Sequence, residues 1–224
     1  MTMISASLLS CRDNLENITK EYNDLNIDFI HMDIMDEKFV PYSSFTNNEV
    51  ELIVKTTNKP LDVHLMVEHP ENYIEYYRKF NTHYITVHYE VLKDLEIINK
   101  IKNLGIKVGI TIKPTTNVEE IYNILPLIDL VLVMSVEPGK GGQKFMPESL
   151  EKIDKLNKKI KNLNLDVLIS VDGGINNNSA SECIKNGVDM LVIGSALANA
   201  HDKINFINAC INKLNFYGTL TNNL

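Results

Sequence analysis

The chain has 224 residues, 44% of them hydrophobic and 23% charged, a composition typical of a folded globular protein. Its 29 acidic residues outnumber its 22 basic residues, and the formal net charge of -7 argues against a nucleic-acid-binding protein. The three cysteines form no CxxC pair, and no run of about 18 apolar residues predicts a membrane span. We therefore expect a cytoplasmic protein that binds neither nucleic acid nor membrane.

Eight short apolar runs rich in β-branched residues follow one another along the chain. They lie at 3–8, 28–35, 60–67, 83–88, 106–112, 129–136, 166–171 and 188–194. Their starts are separated by roughly 22 to 37 residues, which is the length of one strand–helix unit. Between the runs, apolar residues recur at helical spacing, for example at Leu150, Ile153, Leu156 and Ile160.

This alternation predicts an α/β fold, a single (β/α)8 TIM barrel domain over residues 1–224. An open, doubly wound sheet is the alternative, but the count of eight and the lack of an early GxGxxG motif disfavour it. The polar end of the chain, from about 217 to 224, is expected to be frayed.

Polar residues and one glycine stand at the ends of most predicted strands, where a barrel places its functional loops. In strand order they are Ser7, His31, Asp33, His64, His88, Asp172, Gly194 and Ser195. These residues are far apart in the sequence, but a barrel brings the carboxyl ends of all its strands to one rim. We therefore expect them to form one site.

Two histidines and two carboxylates at one rim match the ligands of Zn²⁺, Fe²⁺, Mn²⁺ or Co²⁺. His31 and Asp33 share one face of their strand, because side chains at i and i+2 point the same way. Burying that pair without compensation would cost several kcal/mol. The sequence therefore predicts one divalent ion, with Zn²⁺ as the first expectation, bound by His31, Asp33, His64 and Asp172.

For five further residues, core packing competes with a role at the site. His83 is assigned to the core, whereas His88 is left open between a hydrogen-bonding partner of the site and a core residue. Met35, Met66 and Met134 lie near the ends of the second, third and sixth strands. Filling the core is the usual role of methionine, but at the rim these three would form an apolar site floor.

Glycine-rich turns predict a phosphate site. "EPGKGGQKF" at 137–145 follows the sixth strand, and "GGIN" and "IGSA" follow the seventh and eighth. Glycines let backbone N–H groups approach an anion closely, and the last two loops of such a barrel commonly bind phosphate. Arg12 and Arg78 are the only arginines, so backbone amides rather than a cluster of guanidinium groups are expected to bind the anion.

Six segments together resemble ribulose-phosphate 3-epimerases: "SASLLS", "HMDIMDEKFVP", "DVHLMVEHP", "ITVHYE", "VLVMSVEPGKGGQKF" and "VDGGI" with "IGSA". The resemblance covers nearly the whole chain in order, and it implies a metal-dependent barrel enzyme that interconverts D-ribulose 5-phosphate and D-xylulose 5-phosphate. Asp33 and Asp172 would be both metal ligands and the acid–base pair. The implied substrate contacts are Ser7, His64, Gly139, Lys140, Gly141, Gly142, Gly173, Gly174, Gly194 and Ser195.

The chemistry of this reaction is consistent with the implied roles. Inverting C3, next to a C2 ketone, requires proton removal from one face and delivery to the other. Asp33 and Asp172 come from the second and seventh strands and could hold a flat enediolate between them. One must start ionised and the other protonated, while a divalent ion would stabilise the developing oxyanion.

Four positions depart from the family motifs. Glu37 replaces a glycine, Tyr42 and Lys113 each replace an asparagine, and Lys140 replaces a phenylalanine. Tyr42 and Lys140 lie on loops that would cover the substrate, so a sister epimerase acting on a hexulose 6-phosphate such as allulose 6-phosphate is the nearest alternative. A decarboxylase is disfavoured because no lysine ends the second strand.

A non-catalytic sugar-phosphate-binding barrel is the alternative of a different class, and we would expect it to have lost one of the four metal-site residues. In either case the partner is a small ketose phosphate. We also expect the chain to form a homo-oligomer.

Overall fold

Eight parallel strands close into a barrel in chain order, with β8 paired to β1. The computed structural model describes residues 2–212, so the predicted frayed tail at about 217–224 lies outside it. The strands are β1 (Met3–Ser7), β2 (Phe29–Met35), β3 (Leu61–Met66), β4 (Thr82–His88), β5 (Lys107–Ile112), β6 (Leu130–Met134), β7 (Leu168–Asp172) and β8 (Met190–Ile193). The predicted barrel and its eight strands are confirmed.

Helices cover the outside of the barrel. They are α1 (Leu15–Asn23), α2 (Asn47–Thr56), α3 (Ile74–Tyr77), α4 (Glu96–Asn103), α5 (Ser149–Asn162), α6 (Asn177–Lys185), α7 (Ser195–Ala198) and α8 (Lys203–Asn212). None of the helices within residues 2–212 is long and apolar enough to cross a membrane.

The connection from β5 to β6 differs from the expected strand–helix alternation. It contains two 3₁₀ turns, Val118–Ile121 and Leu125–Leu127, instead of an α-helix. Pro126 lies in the second turn, and proline cannot donate the backbone hydrogen bond that an α-helix interior requires. Val118, Ile121 and Leu125 are nevertheless buried, so this connection covers its share of the barrel without a regular helix.

The barrel interior changes from apolar to polar along the strands. Phe29, Tyr84, Leu130 and Met190, near the amino ends of their strands, belong to one apolar cluster. Alternate residues of a strand share a face, so the face of β2 that presents Phe29 also presents His31 and Asp33. These four apolar side chains lie toward the amino end of the barrel, and the polar groups lie toward its carboxyl end.

Candidate active site and metal centre

Strand register brings the predicted residues together at the carboxyl end of the barrel. Ser7 pairs with His31 between β1 and β2, and Asp33 pairs with His64 between β2 and β3. Asp172 ends β7 opposite Met134 of β6. The folding of the strands alone therefore positions the two histidines and two carboxylates, with no contribution from a flexible loop.

Four side chains converge on one point at the floor of this rim. One ligand atom from each lies within 4.8 Å of the others: the group is His31, Asp33, His64 and Asp172. His31 Nε2 and His64 Nδ1 each lie 3.3 Å from Asp33 Oδ1. The same nitrogens lie 4.0 and 3.9 Å from Asp172 Oδ2.

These distances suit a metal ion. His31 Nε2 and His64 Nδ1 are buried and make no hydrogen bond within the described part of the chain, which is costly for nitrogens without a ligand. Ligands at about 2.0–2.1 Å from a tetrahedral zinc ion lie about 3.3–3.4 Å apart, close to the spacing of both nitrogens from Asp33. The group can therefore bind a divalent metal ion.

A second layer of hydrogen bonds orients His31 and Asp33. His31 Nδ1 lies 2.7 Å from Asp62 Oδ2, which also accepts a 2.7 Å hydrogen bond from Ser5 Oγ. Ser7 Oγ donates to Asp33 Oδ2 at 2.9 Å. Because the Asp62 carboxylate can only accept, it fixes a proton on His31 Nδ1 and turns Nε2 toward the site. Asp62 and Ser5 were not predicted as site residues.

His83 and His88 have different positions. His88 ends β4 fully buried, and its Nε2 lies 3.0 Å from His64 Nε2. The hydrogen-bonding alternative for His88 is the one the structure shows. His83 is near the start of β4, partly exposed, with its ring packed against Phe29 and Tyr84. It lies outside the site, as predicted, although it is not fully buried.

The surrounding protein groups shift the pKa values of Asp33 and Asp172 in opposite directions. Burial raises the pKa of Asp172 to about 6, and the nearby charge of Asp33 adds to this effect. Burial also opposes ionisation of Asp33, but the nearby charge of His31 holds the pKa of Asp33 well below its usual value. Of the two, Asp33 is therefore the readily ionised carboxylate and Asp172 the one that accepts a proton more easily.

The negative field at the site also favours a cation. Although burial opposes a charge on His31, Asp33 and Asp62 raise the pKa of His31 well above its usual value. A metal ion bound at Nε2 would take the place of that proton, so metal binding should release protons.

A pocket above the four side chains contains most of the predicted substrate contacts. Its lining includes Ser7, Asp33, Met35, Met66, Met134, Gly139, Lys140, Gly141, Gly142, Asp172, Gly173, Gly174, Gly194 and Ser195. His31 and His64 are fully buried beneath it. The three methionines are themselves buried and form an apolar part of the floor.

The glycine loop after β6 is held by a residue that was not predicted. Gln143 Nε2 donates to the backbone oxygens of Glu137 at 2.6 Å and Lys140 at 2.8 Å. Lys140 itself is exposed at the mouth of the pocket. The turn contains several polar residues, and nothing in its letters distinguishes a glutamine that binds its own loop from one that faces solvent.

Two of the departures from the family motifs lie on the β2–α2 loop. Glu37 has φ 61°, a left-handed backbone that suits the glycine of the motif better than glutamate. Tyr42 is 45% exposed, and its ring packs so closely on Gly139 that a Cβ there would lie 2.9 Å from Tyr42 Cδ2. Tyr42 therefore links this loop to the glycine loop after β6.

Replacing Gly174 with alanine should destabilise the protein and weaken substrate binding. Gly174 has φ +62°, and an added Cβ would lie 2.2 Å from the backbone nitrogen of Phe145. The left-handed backbone costs an L-residue about 1–2 kcal/mol, and the clash forces the Phe145 backbone to move. We expect a lower free energy of unfolding in urea and a higher KM.

Gly105→Ala is the matched control. Gly105 has φ +74° with nothing within 4 Å of the added Cβ, so this variant carries the backbone strain alone. If Gly174→Ala lost no more stability than Gly105→Ala and kept its KM, close packing at Gly174 would have no importance.

The model of the ribulose-phosphate 3 epimerase family matches residues 3–198. The chain is 38% identical to the ribulose-phosphate 3-epimerase of Bacillus subtilis, covering 91% of this chain and 95% of that protein. It is 37% identical to the enzyme of that name from Synechocystis, covering 88% of each chain.

Solved structures show the fold alone. N-(5'-phosphoribosyl)anthranilate isomerase from Pyrococcus furiosus has a TM-score of 0.60 at 16% identity, covering 94% of this chain and 96% of its own. Thiamine phosphate pyrophosphorylase from the same organism also has a TM-score of 0.60, at 15% identity, covering 93% of each chain.

Proposed function

The chain belongs to the ribulose-phosphate 3-epimerase family, and from that premise we propose that it interconverts D-ribulose 5-phosphate and D-xylulose 5-phosphate. One observation carries the proposal. Two carboxylates from opposite parts of the barrel, Asp33 and Asp172, meet two buried histidines at the floor of one pocket. Such a pair is what inversion at a carbon next to a ketone requires.

Asp33 and Asp172 would move the proton at C3. In one direction the ionised carboxylate removes the C3 proton, and the electrons of that bond form the 2,3-enediolate. The protonated carboxylate on the other face then delivers its proton to C3, which inverts the centre. After one turnover the first carboxyl group is protonated and the second is ionised. The enzyme therefore returns to its starting state only after these protons re-equilibrate, and the two residues exchange roles in the reverse reaction.

His31, Asp33, His64 and Asp172 would hold one divalent ion. When bound, the ion supplies positive charge close to the oxygens of the enediolate, an effect worth several kcal/mol. Two imidazole nitrogens and two carboxylate oxygens suit Zn²⁺ first, and also Fe²⁺, Mn²⁺ and Co²⁺. Asp62 keeps the His31 ring in position, and the buried methionines would exclude water from the floor.

The glycine loops would bind the phosphate of the substrate. Gly173 and Gly174 follow β7, and Gly194 and Ser195 follow β8. These pairs line the same pocket as Asp172, and loops after the last two strands of this fold commonly bind phosphate through backbone N–H groups. Ser7 and residues 139–142 would contact the sugar from the other side.

The substrate can be tested by comparing two sugars on one enzyme preparation. Zinc-loaded protein should turn over D-ribulose 5-phosphate with a higher kcat/KM than D-allulose 6-phosphate, measured by quantifying the C3 epimer formed. A higher value for allulose 6-phosphate would identify a hexulose-phosphate epimerase instead. Binding of either sugar without any epimer formed would identify a non-catalytic barrel.

Lys140 should affect substrate recognition rather than chemistry. Its side chain lies at the mouth of the pocket, where a positive charge favours a phosphate. Lys140→Glu should raise KM, because it places a negative charge near the phosphate. Lys140→Phe, the residue of the family motif, should keep kcat and alter KM or the preference between the two sugars.

Lys144→Glu makes the same charge change on an exposed residue of the same loop that does not line the pocket. Steady-state kinetics of the three variants on both sugars would show the effect. If Lys140→Glu changed KM no more than Lys144→Glu, Lys140 would be only a solvated loop residue.

The predicted homo-oligomer and cytoplasmic location stay predictions. Sedimentation of the purified protein would test the first, and fractionation of the source cells would test the second.

A further inference from the structure

We propose that Glu90 is a positioning residue which, through His88, keeps His64 Nδ1 free of a proton and so able to bind the divalent ion. The inference rests on the proposed function in one respect, that His64 is a metal ligand. It assigns the donor and the acceptor of each hydrogen bond in a chain that runs from the site to the loops after β4 and β5.

The chain of contacts is continuous. His64 Nε2 lies 3.0 Å from His88 Nε2, and His88 Nδ1 lies 3.0 Å from Glu90 Oε2. Both imidazoles are fully buried, whereas the Glu90 side chain is 21% exposed. The two rings stack with centroids 5.1 Å apart, and the ring of Phe39 lies 4.4 Å from that of His88. His88 therefore has its ring plane fixed on two sides.

The ionised carboxylate of Glu90 fixes which nitrogen of each imidazole carries the proton. An ionised carboxylate can only accept, so His88 Nδ1 must carry the proton that it donates to Glu90. A second proton on His88 would bury a cation beside a divalent ion, which is strongly unfavourable. His88 Nε2 is then an acceptor, so His64 Nε2 must donate to it. The remaining nitrogen, His64 Nδ1, keeps its lone pair and faces Asp33.

Hydrogen bonds to its second oxygen, Oε1, hold the Glu90 carboxylate in place. Glu90 Oε1 accepts hydrogen bonds from the backbone N–H of Lys113 at 2.8 Å and from the hydroxyl of Thr116. Lys152 of α5 in turn donates to the backbone oxygens of Lys113 at 3.1 Å and Pro114 at 2.6 Å. Partial burial opposes ionisation of Glu90, but the hydrogen bonds from His88, Lys113 and Thr116 lower the pKa of Glu90 to about 2.

Glu90→Gln tests the proton direction with almost no change of shape. The amide oxygen that this substitution introduces can keep both bonds to Lys113 and Thr116 only if the new NH₂ group faces His88 Nδ1. His88 must then accept there and donate from Nε2, which forces the proton of His64 onto Nδ1, the metal-binding atom. Loss of such an outer partner typically costs about 10–100-fold in metal affinity, and we expect a loss in that range.

Thr116→Val is the matched control, because it removes one hydrogen bond from Glu90 but leaves the carboxylate and its bond to His88. The readout is the Zn²⁺ dissociation constant of each metal-stripped protein, measured by competition with a chromophoric chelator, with thermal unfolding to establish that each variant is folded. We expect Glu90→Gln to bind Zn²⁺ more weakly and Thr116→Val to bind it as the wild type does. The proposal is overturned if Glu90→Gln keeps wild-type affinity, or if both variants lose affinity equally.

A measurement on the wild type needs no variant. Long-range ¹H–¹⁵N spectra of the Zn²⁺-loaded protein should show His64 protonated at Nε2 and His88 protonated at Nδ1. A proton on His88 Nε2 would overturn the relay even if every variant misfolded. If the wild type bound no Zn²⁺ at all, the proposed metal centre itself would be wrong, a result distinct from failure of the relay.

Discussion

Asp172→Asn and Asp33→Asn are each expected to lower kcat for C3 epimerisation by about 100- to 10,000-fold, the usual contribution of a positioned acid or base. Asparagine keeps the size and one oxygen of aspartate but cannot take up or release the proton. Because inversion needs both carboxylates, either substitution alone should stop it. The measurement is the rate of xylulose 5-phosphate formation from ribulose 5-phosphate with metal-loaded protein.

Asp154→Asn is the control for the change of charge. Asp154 lies on the outer surface of α5, where it pairs with Lys158 at 2.6 Å, so its loss changes net charge without touching the site. It should keep wild-type kcat. If Asp33→Asn or Asp172→Asn kept more than about a tenth of wild-type kcat, a loss below about 1.4 kcal/mol, the two-carboxylate mechanism would be wrong.

Each variant should also reveal which face its missing carboxylate serves. In D₂O, a variant that retains one working carboxylate can still exchange the C3 hydrogen of one epimer without inverting it. The two variants should exchange opposite epimers, which ¹H spectra of the recovered sugars would show. Exchange of the same epimer by both variants would contradict the assignment of one carboxylate to each face.

Removal of the metal ion is expected to abolish turnover, and Zn²⁺, Mn²⁺, Fe²⁺ or Co²⁺ should restore it. Two of the four donors at the site are imidazole nitrogens. Mg²⁺ prefers oxygen ligands in octahedral geometry and should restore little activity, so it serves as the matched control ion. Activity would be measured on chelator-treated protein before and after each ion is added, with metal content established by elemental analysis.

The same ions should stabilise the fold. A ligand at 100 times its dissociation constant stabilises the native state by about 2.7 kcal/mol, so Zn²⁺ should raise the Tm of the stripped protein whether or not sugar is present. Full activity in protein that elemental analysis shows to be free of metal would falsify the role of the ion.

The fold could be predicted from the sequence because eight apolar runs recur at the spacing of strand–helix units. The eight strand boundaries agree with the structure to within two residues. The 3₁₀ turns between β5 and β6 were missed, because the apolar residues of 118–128 suit either helix type. Pro126 decides between them, and its effect depends on where in a turn it falls.

The grouping of His31, Asp33, His64 and Asp172 could be predicted because strand-end residues of a barrel share one rim. The sequence also contains a signal for the residues that support this group. Three neighbouring strands or their ends carry a histidine and an acid two positions apart: His31 with Asp33, Asp62 with His64, and His88 with Glu90. Such a repeat places a carboxylate beside a histidine on each strand, and Asp62 and Glu90 prove to be the hydrogen-bonding partners of the site.

The loop contacts could not be predicted from the sequence. Gln143 binds its own loop, a contact that depends on the conformation of that loop. Tyr42 packs on Gly139, a contact between segments far apart in the sequence. No periodicity or spacing rule reports either contact. The effect of Tyr42 and Lys140 on the choice of sugar is a question of the same kind.

The most direct test of proton transfer by Asp33 and Asp172 is to let zinc-loaded wild-type protein convert D-ribulose 5-phosphate in D₂O. The measurement is the hydrogen isotope at C3 of the product. Proton removal by one carboxylate and delivery by the other predicts xylulose 5-phosphate that carries deuterium at C3 and at no other carbon, because each carboxyl group exchanges with solvent between turnovers. ¹H spectra of the product would show the missing C3 signal. Xylulose 5-phosphate that retains its C3 hydrogen, or no xylulose 5-phosphate at all, would contradict proton transfer by Asp33 and Asp172.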